Sequence, residues 1–161
     1  MILAATETGV RDVETGRVAL EGRDVTHLVS TAGGLWAIVD RRDVLHAAAP
    51  DAWRPVASIG EHQLRCVLPR ADGTLFVGAS SGPFSHDAAV YRAESLGTPF
   101  RRCADGVPEW FETNVHPHRL AAADDRVAVA VEEAVYVSQD SGRTWKVAAT
   151  GLPAVRAVAV T

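Results

Sequence analysis

Short runs of Val, Leu and Ala recur along the chain with turn residues between them. No long stretch keeps apolar side chains at the i, i+3, i+4, i+7 spacing of a helix face. This pattern predicts an all-β protein in which helix is nearly absent. The runs can be laid over one another as four copies. The last holds Val127 to Val131, Val135 to Val137 and Val155 to Val160, and the one before it Leu75 to Gly78, Val90 to Arg92 and Arg119 to Ala122. Earlier come Leu35 to Val39, Val44 to His46, Trp53 and Leu64 to Leu68, preceded by the weakest copy, Ile2 to Ala5, Gly9-Val10 and Val25 to Val29. The copies start at Ile2, Leu35, Leu75 and Val127, so the spacings are 33, 40 and 52, the last stretched by two insertions.

One turn between the runs is distinctive. Ser138, Asp140, Gly142, Thr144 and Trp145 read Ser-x-Asp-x-Gly-x-Thr-Trp, a β-hairpin turn. The Asp140 carboxylate can accept backbone N–H bonds, Gly142 can take a positive φ, and Trp145 can bury its ring at the base of the next strand. Gly97 and Phe100 repeat the spacing of Gly142 and Trp145, with Ser95 in the place of Asp140. Four short strands per unit and a period near 40 residues are the signature of β-propeller blades.

With this turn the chain resembles the Asp-box (BNR-repeat) β-propellers, the broad group that includes sialidases and photosystem assembly factors, and in particular bacterial BNR-like repeat proteins. The resemblance implies one propeller domain over residues 1–161, with about four blades of four strands. In that family the Asp-box joins the third and fourth strands of a blade. The chain would then open on a second strand, and a strand over 155–160 would begin or close a further blade. A closed small ring, a half-ring completed by a homodimer, and an open arc of a larger propeller are the three arrangements expected.

Composition narrows the class. The 161 residues carry a net charge of −4 and no basic footprint for nucleic acid. The N-terminal residues lack the charged and apolar regions of a signal peptide, and no apolar run is long enough to span a bilayer, so a cytoplasmic protein without membrane contact is expected. Cys66 and Cys103 form no Cys-x-x-Cys and read as two buried free thiols.

Both insertions fall in connections that share one face of such a propeller, opposite the Asp-box turns. They are residues 80–87 and 109–118. Their chemistry-bearing residues, His86, Asp87, Glu109, Trp110, Glu112, Asn114, His116 and His118, are the expected ligand face, suited to a sugar, a peptide or a cation. Trp110 and Phe111 also suit a cap folded back over the blade. His116 and His118, two apart, would lie on one side of an extended segment, a spacing that metal sites use, with His86, Asp87 or Glu112 as a third ligand. Against a sialidase, the chain has no Phe/Tyr-Arg-Ile-Pro motif, and Tyr91 and Tyr136 overlay as repeated packing residues. No nucleophile elbow, phosphate loop or His-Glu-x-x-His occurs. The expectation is therefore a non-enzymatic module with no cofactor and no catalytic residues, binding a protein or small ligand through this face. The alternative is a sialidase-like or other hydrolase or lyase, with or without a metal, on the same face.

Overall fold

Within each sheet of the computed structural model, strands adjacent in sequence pair with one another; the structure describes residues 1–60, 62–82, 84 and 86–161, the side chains of Ala57 and Ser58 excepted. The first sheet holds β1 (Leu3–Thr6), β2 (Gly9–Asp12) and β3 (Val18–Ala19). The second is β4 (Val25–Thr31), β5 (Gly34–Val39), β6 (Asp43–Ala47) and β7 (Trp53–Ser58). The third is β8 (Gln63–Pro69), β9 (Leu75–Ser81), β10 (His86–Ala93) and β11 (Arg101–Arg102). The fourth is β12 (Leu120–Ala123), β13 (Arg126–Val131), β14 (Ala134–Ser138) and β15 (Lys146–Ala149). A 3-10 turn, Pro117–Arg119, precedes β12. The protein is all-β, a succession of antiparallel up-and-down sheets consistent with propeller blades.

The core is divided in the same way. One apolar cluster joins the first and second sheets around Val10, Val25, Val39 and Leu45. The next joins the second and third through Trp36, Ile38, Leu64 and Val77, and the last joins the third and fourth through Phe76, Val90, Val129 and Trp145. Alternation along β9 explains its unbroken apolar run: Leu75, Val77 and Ala79 face the second sheet while Phe76 faces the fourth. Tyr91 and Tyr136 are packing residues, one in each of the last two clusters. Cys66 and Cys103 are buried free thiols, and burial pushes their pKa values up to about 12 and about 11 respectively.

Among the described residues, fifteen of the sixteen repeat strands form. The exception is 155–160, which is not a strand, and β1 has β2 as its one ladder partner. The reason lies in competing hydrogen bonds. Val155 N donates to Glu132 O at 3.0 Å and Val158 N to His118 O at 2.8 Å, so the segment is drawn onto the connections of the fourth sheet. Among the described residues, the pairing of the two chain ends that a closed small ring would need is not made.

Candidate functional site

The Asp-box turn forms as its sequence requires. The Asp140 carboxylate accepts Arg143 N at 3.0 Å, Thr144 N at 2.9 Å and Thr144 Oγ1 at 2.6 Å, together with Ser138 Oγ at 2.7 Å. Burial acts to raise the pKa of Asp140, but these bonds together outweigh it and hold the carboxyl well below the ordinary carboxylate range. Gly142 has φ +80°, and Trp145, 3% exposed, donates Nε1 to Gly142 O at 3.2 Å. The carboxylate's bonds close the hairpin, while Trp145 packs in the cluster between the third and fourth sheets.

At the other end of the sheets, the β9–β10 connection is shorter than the sequence suggests. Ser80 and Ser81 belong to β9 and His86 and Asp87 to β10, leaving residues 82–85 between them, of which Pro83 and Ser85 lie outside the described residues. His86 is exposed opposite Ser81, and Asp87, at φ +53°, accepts Ser81 Oγ at 2.8 Å.

The β11–β12 connection folds back over the third sheet. Phe111 N donates to Ala88 O at 2.7 Å, and Phe111 and Val115 are buried in the cluster between the third and fourth sheets. Trp110 stays 40% exposed, with the Arg102 guanidinium 4.8 Å from its ring centroid and Arg102 Nη1 donating to Glu109 O at 2.7 Å. The aromatic pair is thus split, one ring capping the sheet and the other covered on one side by a cation. Glu112 N donates to Glu132 Oε1 at 2.8 Å, and Asn114 Oδ1 is buried without a hydrogen-bond partner.

His116 and His118 do not share the side of an extended segment. His116 is extended at φ −85°, ψ 165°, but His118 lies inside the 3-10 turn, whose three residues per revolution swing the second imidazole away. Among the described residues, no three His, Cys, Asp or Glu side chains are grouped to hold a metal ion, so His86, Asp87 and Glu112 supply no third ligand.

Cations gather here instead. Desolvation lowers the pKa of His116, and the charges acting on it, Arg119, Arg65 and His118, are all positive. His27 of β4 is likewise lowered by desolvation and then by His118, and its Nδ1 accepts Val67 N at 3.1 Å, which fixes the ring against β8. Arg65 of β8 reaches Gly82 O at 2.9 Å and Gln63 Oε1 at 3.0 Å, with Arg41 as its charged neighbour. Arg119 Nη1 donates to Thr113 Oγ1 at 3.2 Å. Strands β4 and β8 and the β11–β12 connection therefore bring His27, Arg65, His116, His118 and Arg119 near one another.

Sequence reasoning missed His27, Arg65 and Arg119. A signal existed for Arg65, a charge set between apolar neighbours in Leu64-Arg65-Cys66-Val67. His27 had none, since the His118 whose charge acts on it comes from a 3-10 turn far along the chain. Among the described residues no helix is long and apolar enough to cross a membrane. Compared with known proteins, the chain matches no family model and no curated sequence.

Proposed function

We propose that the four sheets are blades of an Asp-box propeller, and that the protein is a non-enzymatic module binding an acidic ligand at the end that carries the β9–β10 and β11–β12 connections. The observation behind this reading is the grouping of His27, Arg65, His116, His118 and Arg119, drawn from two sheets and the β11–β12 connection in a chain whose net charge is −4. A cationic group that persists against the overall charge raises the local concentration of anions and orients them. Arg65 and Arg119 hold permanent charge, while the imidazoles add charge as the pH falls. Trp110 and Glu109 flank this end and would contact the body of the ligand.

The test is calorimetric titration with a hexaglutamate peptide at low salt. Binding should strengthen severalfold as the pH falls from about 7 to about 5.5. Desolvation holds the His27 and His116 imidazoles below their ordinary range, so that they gain charge only in this window, and a bound anion favours the charged form. Arg119→Gln should weaken binding at both pH values, and His116→Gln with His118→Gln should flatten the pH dependence. Absence of binding, or equal affinity in wild type and Arg119→Gln, would overturn the reading.

A further inference from the structure

At the opposite end, beside the Asp-box turn, a cavity of about 530 Å³ lies between β11 and the β14–β15 hairpin. Four arginines, Arg92, Arg101, Arg102 and Arg143, line it with one carboxylate, Glu94. Arg92 and Arg101 stand directly opposite each other on β10 and β11, so two like charges share one face of the sheet. Such a pair disfavours the sheet unless an anion lies between or beside the two groups.

The cavity already holds one anion of the chain's own. Glu94 is gripped by both terminal nitrogens of Arg92, with Nη2 to Oε2 at 2.8 Å, and Arg143 Nη2 approaches Oε2 at 3.2 Å. Arg92 is anchored from behind by Nε donating to Ser141 O at 2.6 Å, and only 9% of its side chain is exposed, so its fork is fixed before any ligand arrives. Glu94 by contrast is 60% exposed, so solvent can replace it at little cost. Arg101 is exposed and has no ion-pair partner among the described residues. The remaining wall is partly apolar, formed by Pro99, Cys103 and Ala104.

We propose that this cavity is a binding site for a small phosphate monoester, whose phosphoryl group displaces the Glu94 carboxylate from Arg92 and Arg143 and engages Arg101, while its organic body lies against Pro99 and Ala104. A dianion suits the site better than a second carboxylate, because Arg92, Arg101 and Arg143 line it with a single acid while the Arg102 guanidinium is held on Glu109 O and the Trp110 ring. The volume falls within the range of small-ligand pockets, roughly 300 to 1,000 Å³, and exceeds what inorganic phosphate alone fills. This site is independent of the cationic group at the other end and stands or falls apart from it.

The experiment is calorimetric titration with glucose 6-phosphate, inorganic phosphate and glucose. Glucose 6-phosphate should bind best and glucose not at all. Arg101→Gln and Arg143→Gln should each weaken the ester by roughly fivefold or more, the scale of a lost charge-assisted hydrogen bond. Glu94→Gln should strengthen it severalfold by removing the internal competitor, and His116→Gln should leave it unchanged. Thermal melts of each variant verify folding. No binding of either phosphate compound, or equal affinities across wild type, Arg101→Gln and Glu94→Gln, would overturn the proposal.

Discussion

Asp140 illustrates how much one side chain of this protein does and when it does it. Its carboxylate closes the last hairpin through bonds from Ser138, Arg143 and Thr144. Asp140→Ala should therefore lower stability by about 1–2 kcal/mol at neutral pH, as loss of a capping carboxylate does. The folded-state pKa is depressed, so this contribution is complete above the unfolded value, near ~4, and is lost as the pH falls through the folded value. Urea unfolding at about pH 7 and about pH 2 should show the gap between wild type and Asp140→Ala shrinking in acid; an unchanged gap would mean the carboxylate is not the group responsible. The turn's own bonds were legible from residue type and spacing. A second role of Gly142 was not: a β-carbon there would run into the ring of Phe76, which the fold brings from the third sheet.

At the scale of elements, the strands were readable and their connections were not. Runs such as Leu75 to Gly78 and Val127 to Val131 became strands because both faces of each inner strand are buried between sheets. Residues 109–118 read either as a binding loop or as a cap folded back over the blade, and Phe111 and Val115 pack down over β9 and β10 because Gly78 has no side chain to hold them off. A β-carbon at Gly78 would lie 2.5 Å from Val115 O and 2.9 Å from Cys66 Sγ. Gly78→Ala should cost about 1–3 kcal/mol by overpacking and should reduce hydrogen-exchange protection at the Phe111 amide. Gly33→Ala is the control: its β-carbon would meet only Thr31 Oγ1, at 3.7 Å, so stability should barely move. Equal effects of the two substitutions would rule out this role for Gly78.

For the whole molecule, the decisive feature is the edge of β1. Among the described residues it pairs with β2 alone, and the segment over 155–160 is hydrogen-bonded to the connections of the fourth sheet. An uncovered strand edge invites pairing with another copy. Light scattering should accordingly give a mass that rises above 17.1 kDa with concentration, and Ala5→Lys, at an exposed position of β1, should suppress the rise. A constant monomer mass at every concentration would show that β1 does not recruit a second chain.

The sequence by itself determined the all-β class, the place of nearly every strand and the bonds of the turn from Ser138 to Trp145, because each rests on local periodicity and on bonds spanning a few residues. Only the tertiary structure decided which charges meet. The charge of His118 reaches His27 and that of Arg65 reaches His116 because the β11–β12 connection folds back towards β4 and β8, and Arg143 reaches Glu94 because the fourth sheet's hairpin lies beside β10. Electrostatic interaction depends on distance in space, and the spacing of residues along a repeating chain does not encode that distance.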